Sequence, residues 1–563
     1  FFSKAWINMA FWDSFSWVSS TSPITTLLEK EETTLENILD EDQILNELRG
    51  TNKTLLDYLS KPEILLHVID LITKPVPDLD ESLQYRYPYL CSEILCFDTP
   101  GIQDTLLTDE CLDRLFSFLD GATPLNSLLS NYFNRVVGNI LAKKAEIVVE
   151  FLKKRESFLQ QALVHIYNNA VSEVLMKLLT CGKEEVVDEW FAEEEFISKL
   201  VAKMDPEEDL ATHENAATIL LCICTNSFQV INGGQGDPKL FGQINNEETL
   251  SHLVDLMFKK SASSSLTQGS VILVQLCREQ QGNIEPNTAV ESLPAAHRVL
   301  LQALPKIKET LQTSTEASFK TTCGELKTPF GFYRMSALEL FQALLGCKAM
   351  CVFKQVLESE IFAVIIDLFF EFQWNNFLHN CVLECVEAIL NSHEDDIILP
   401  FIKQTDLHEK IGQSGETPNI NGEESSRKGF MGHLGKLASD LHTASEVSDK
   451  LGEILQNNQP WKKYLQEDFA SIKKVEAAKL GSAEAEEDVD VDQTVNQFHD
   501  TIKRRFEDDF PDSFTRSNED LFDILIRPTD NQLYVGINTD ETGFGSEFDD
   551  DDNFMGSDDE EDE

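Results

Sequence analysis

EIFAVIIDLFFEFQWNNFLHNCVLECVEAILNSH, residues Glu360–His393, decides the fold. It opens with a short apolar helix pattern, breaks at a polar turn around Trp374–Asn376, and resumes as a second apolar helix. Three other stretches repeat the plan: Cys111–Lys144, Glu194–Asn226 and Glu248–Glu279. A helix pair of this size cannot bury its apolar faces alone, so each pair must stack on its neighbours. Stacked pairs form a solenoid, an architecture that holds partners more often than it performs chemistry.

The rest of the chain sets bounds on that reading. It has 563 residues, of which 42% are hydrophobic, enough for one long helical array. The formal net charge is -52. Nucleic acid binding needs clustered Lys and Arg, and anionic membrane surfaces attract bases, so both are disfavoured. The longest apolar run, Ile361–Phe372, is interrupted by Asp367 and Glu371 and is too short to be inserted across a bilayer. Twelve cysteines are scattered without a disulfide framework, which predicts a reducing compartment, cytoplasmic and also nuclear. Cys381 and Cys385 stand one helical turn apart, but no second Cys or His pair completes a metal finger, so they read as core.

Organisation along the chain follows composition. Residues 1–23 are an aromatic N-terminal segment, in which Met9 reads as a start and Phe1–Asn8 as upstream sequence. Helical patterning fills 24–470, with Pro75, Pro77 and Pro88 read as one loop and Thr313–Gly331 as another. From Gly481 to Glu563 there are 28 acidic and 5 basic side chains. That stretch cannot bury a core and is expected to be a disordered acidic tail. Ser557 is followed by six acidic residues, and Ser546 by Glu547 and Asp549. Both are candidate phosphorylation sites for an acid-directed kinase of the casein kinase 2 type. The overall expectation is an all-α, armadillo/HEAT-like helical solenoid with that tail appended.

Motifs for catalysis are sparse. EILCFDTPG (Glu93–Gly101) reads like a buried strand ending in a D-x-x-G. A GTPase would also need a phosphate loop before it, and GFMGHLGKL (Gly429–Leu437) has the wrong glycine spacing and comes after. The simpler reading is a helix end stopped by Pro100 and Gly101. Hydrolase signatures G-x-S-x-G and H-E-x-x-H do not occur. No catalytic, cofactor-binding or metal-binding residue is assigned. Candidate partner contacts are the basic run Lys153, Lys154 and Arg155, whose alternative is a helix end favoured by its own dipole.

Several strings together resemble the SAPS-domain family: ITTLLEKEETTLENILDED (Ile24–Asp42), YRYPYLCSEIL (Tyr85–Leu95), Ser117–Ile166, QWNNFLHNCVLECVEAIL (Gln373–Leu390) and SRKGFMGHLGKLA (Ser426–Ala438). The family comprises regulatory subunits of the phosphatase 6 type of Ser/Thr phosphatase. The resemblance implies a non-catalytic scaffold that binds a phosphatase catalytic subunit, and an ankyrin-repeat regulatory subunit with it. The rival reading is a helical-repeat adaptor for trafficking or signalling unrelated to phosphatase. Within the WNNFLH and GFMGHL strings, Trp374, Asn375, Asn376, His379, Phe430 and His433 are the further candidate contacts. Trp374 serves either as an exposed contact or as a plug in the inter-helix groove, with Asn375 or Asn376 as a helix cap.

Overall fold

In the computed structural model the residues described are 22–470, apart from 31–32, 76–80, 235, 261–263, 314–317, 322–323, 327 and 415–428, together with 473–474. The chain divides into two units, 1–474 and 475–563, and every described residue belongs to the first. The N-terminal segment 1–21, the acidic tail, Ser546 and Ser557 lie outside the described residues.

The first unit is a two-layered helical solenoid. One layer comprises the helices Glu81–Cys96, Ser127–Lys154, Asn169–Leu179, Leu210–Asn232, Ser264–Gln280, Gly331–Leu345, Asn376–Leu390 and Met431–Val447, each packed on the next. Behind it run Pro62–Thr73, Asp109–Phe116, Phe158–Val164, Phe196–Ala202, Glu247–Met257, Ala295–Gln312, Ile361–Glu371, Asp395–Thr405 and Asp449–Asn457. All four pairs expected from the sequence are present, and each contributes one helix to each layer. The core lies between the layers as one continuous cluster that takes in Phe116, Phe133, Leu200, Ile219, Met257, Leu273, Phe362 and Val386.

Side-chain caps fix where the first-layer helices begin. Asn126, Asn168, Asp209 and Asn375 each accept a hydrogen bond from a backbone N–H of the turn they open. These satisfy donors that the helix itself leaves free. Neighbouring first-layer helices run parallel. His213 Nδ1 meets Ser264 Oγ at 2.7 Å, and Cys381 Sγ donates to Leu338 O at 3.8 Å and to Gln342 Oε1 at 2.9 Å. The helices therefore present their N-terminal ends at one common edge.

Four local expectations are corrected. Pro88 lies inside the Glu81–Cys96 helix and is buried, because neighbouring helices enclose that face and outweigh the one lost ladder bond. The run Glu93–Cys96 completes that same helix and forms no strand, since a short apolar run carries no period that separates the two. Pro100 and Gly101 open a helix, Pro100–Leu106, with proline in its first turn, where a missing N–H costs nothing. A Cβ at Gly101 would stand 2.7 Å from Ser60 Oγ, so the glycine serves close packing. The stretch read as a loop before Gly331 contains a small antiparallel hairpin, Phe319–Thr321 with Gly324–Leu326, pairing Phe319 with Leu326. Two intervening residues are the length of a tight hairpin connection.

Candidate partner-binding edge

The strings around Trp374 and Gly429 meet in space. Asn375 caps the Asn376–Leu390 helix by accepting from Leu378 N at 3.1 Å, and Asn376 is its first, exposed residue. His379 lies on the inward face, fully enclosed, with Nε2 at 3.2 Å from Phe369 O. Phe430, at the start of the Met431–Val447 helix, packs on Phe369 at 5.5 Å and on His379 at 5.9 Å between ring centroids. His433, one turn further, packs with its ring tilted at 51° and centred 5.1 Å from His379, and its Nε2 meets Asn380 Oδ1 at 2.9 Å. Burial, and secondarily His433, push His379 down to about 4. Burial also lowers His433. Both rings are therefore neutral near pH 7.

Gly429 allows this junction to close. A Cβ there would lie 2.6 Å from Gln373 O and 2.6 Å from Trp374 Cε3. The indole thus covers the Gly429 backbone with one part and remains 56% exposed. Gly432 by contrast faces open space.

Sequence reasoning missed the two aromatics that complete the edge. Phe332 is 83% exposed and Phe377 is 74% exposed, each the second residue of its helix, in adjacent parallel helices. Their signal is an aromatic placed off the apolar stripe at a helix start. Beneath them Arg334 is buried between the rings of Phe330 and Phe372, at 4.8 Å and 5.0 Å, and donates to the backbone carbonyls of Phe330, Leu311 and Pro329. The exposed rings of Phe332, Trp374 and Phe377 therefore stand on a rigid base. Large aromatics on such a base are the residue type that dominates binding energy in protein interfaces.

The basic run lies elsewhere, at the end of the Ser127–Lys154 helix. Lys153 and Lys154 are exposed in its last turn. Arg155 is occupied: it donates to Asp113 Oδ1 at 2.6 Å and to Asp120 Oδ2 at 2.9 Å, tying the helix end back to the Asp109–Phe116 helix and the turn after it, within the same pair. Among the described residues no three His, Cys, Asp or Glu side chains gather as metal ligands would, and no helix is long and apolar enough to cross a membrane.

Comparison with known proteins bears on what this edge serves. The chain is 32% identical over 461 residues to serine/threonine-protein phosphatase 6 regulatory subunit 3 of Gallus gallus, covering 75% of this chain and 52% of that protein. It is 29% identical over 507 residues to serine/threonine-protein phosphatase 6 regulatory subunit 1 of Mus musculus, covering 81% and 59%. Extragenic suppressor of kinetochore protein 1 of Schizosaccharomyces pombe is 27% identical over 441 residues, covering 72% and 51%. The chain thus spans a little over half the length of the curated relatives it matches. The family described as SAPS, SIT4 phosphatase-associated protein, matches residues 137–478, a span that includes the whole junction of Trp374, His379, Phe430 and His433. With more than half of its length in that match, the chain belongs to the SAPS family.

Proposed function

We propose that this protein is a non-catalytic regulatory subunit that binds the catalytic subunit of a phosphatase 6-type Ser/Thr phosphatase and directs it to substrates. The observation that carries the reading is that the SAPS match falls on the paired-helix body, with the exposed aromatic edge inside it. A solenoid with anchored exposed aromatics suits holding a protein, and the relatives are named as regulatory subunits. Binding of an ankyrin-repeat subunit to the same body, residence in the cytoplasm and nucleus, and phosphorylation of Ser557 and Ser546 belong to the same proposal.

The test is purification of the full chain from cells at physiological salt, with identification of stoichiometric partners. A Ser/Thr phosphatase catalytic subunit should co-elute. Its absence, with other partners present, would favour the adaptor reading instead.

A further inference from the structure

The two layers differ in how they treat charge. The second layer is stitched on its outside by ion pairs between successive helices, Arg298 to Glu247 at 2.9 Å, Lys306 to Asp255 at 2.6 Å and Lys450 to Asp395 at 3.0 Å, and Lys410 of the flanking helix Leu407–Gln413 reaches Asp367 at 2.6 Å. The middle of the first layer has no counterpart among the described residues. The 23-residue helix Leu210–Asn232 carries one Asp, Glu, Lys or Arg, which is Glu214. The 17-residue helix Ser264–Gln280 carries Arg278 and Glu279, both near its end. In the whole chain 26% of residues are charged. Solvated helix faces normally carry charge, whereas the centre of a protein interface is depleted of it.

Beyond the exposed Glu214 near its start, this stretch shows Thr218, Leu221, Cys222 and Thr225 of one helix and Val271 and Gln275 of the next, all exposed or half-buried. Val271 is 46% exposed. The parallel packing places Leu210, which is 54% exposed, at the same end as Phe332 and Phe377. The charge-poor band and the aromatic edge are thus parts of one face. Together with the 15-residue helix Gly331–Leu345, whose one acid, Glu339, is half-buried, these helices, about 9 Å apart, present roughly 700 Å², close to the ~800 Å² that each partner contributes to a standard stable interface.

We infer that this charge-poor band, bounded by Phe332, Trp374 and Phe377, is the seat of the phosphatase catalytic subunit, and that the ion-paired second layer remains in water. The inference rests on the function proposed above and adds the surface. Charge matching supports the occupant's chemistry. In a chain of net charge -52, a face this poor in charge admits a folded partner with a largely uncharged contact surface, and the acidic surroundings favour basic residues at the partner's rim. A second copy of this chain would bring two strongly acidic bodies together and is disfavoured.

The experiment uses the full chain and the purified phosphatase catalytic subunit, with affinity measured by biolayer interferometry and mass by light scattering. The variants are Thr218→Glu alone, Thr218→Glu with Val271→Glu, and a second-layer control, His252→Glu, at an exposed position. Helical circular dichroism and the melting transition check folding of each, and the single variant decides if the double one melts early. The expected result is binding by the wild type and the control, with at least a tenfold loss for Thr218→Glu. Binding of Thr218→Glu within twofold of wild type overturns the assigned surface and leaves the regulatory reading intact. No binding by the wild type overturns the regulatory reading and this inference with it. A wild-type dimer dissociated by Thr218→Glu, with catalytic subunit affinity unchanged, would reassign the band to self-association and also overturn the inference.

Discussion

His297 sits fully enclosed in the second layer, and neither ring nitrogen has a hydrogen-bond partner. Burial pushes it down to about 4, as burial and His433 do for His379. In the unfolded chain each would titrate near 6.5, so the unfolded state takes up protons first as pH falls. Stability is therefore full above about pH 7 and declines between about 6.5 and 4, by about 2 kcal/mol per histidine from pH 7 to pH 5. Urea unfolding at the two pH values checks this, and His297→Leu should remove about half of the combined loss. Gly429→Ala would force a methyl against Gln373 O and the Trp374 ring, lowering stability by about 1–3 kcal/mol in the same assay. At this scale the sequence was partly legible. WNNFLH and GFMGHL identified residues that meet, but Phe332 and Phe377 were passed over because apolar periodicity records what faces inward. The role of Arg155 depends on Asp113 and Asp120, 42 and 35 residues earlier in the chain, a pairing that local sequence does not specify.

Helix pairs were the most legible elements, because Leu, Ile and Phe at helical spacing must be buried somewhere and only stacking buries them. Proline misled where tertiary packing overrode local preference, as at Pro88, and the hairpin at 319–326 is too short to show a strand period. Element boundaries depend on single side chains. Asn375→Ala removes the acceptor for Leu378 N and should cost about 1 kcal/mol, fraying the first turn of Asn376–Leu390 beside the aromatic edge. Arg155→Ala should cost about 1 kcal/mol, since its acidic partners are partly in water, and the loss should shrink at high salt. Thermal melts of the two variants at low and high salt separate them, because the cap is insensitive to screening.

Across the whole molecule, neighbour contacts define the first unit. Its body is continuous from the short helices at Pro23–Leu28 and Leu35–Leu39 to Trp461 and Tyr464, which are buried at its far end, where the Pro460–Trp461 backbone closes on Gly412. Ending the chain at Leu480 should leave the melting transition unchanged, as differential scanning calorimetry of the two lengths would show. The sequence draws its own boundary at Gly481 from composition, where 28 acids in the last 83 residues are expected to leave too little apolar surface to offset ordering. The packing order has a mechanical consequence. Each helix pair leans chiefly on the pairs just before and after it, so a pull on the two ends loads the interfaces in series, as in a chain of links. The weakest link then yields first while the others hold. Extension in an optical trap should proceed in discrete steps, and a partner seated across several pairs would act as a splint that raises the force of the steps it spans.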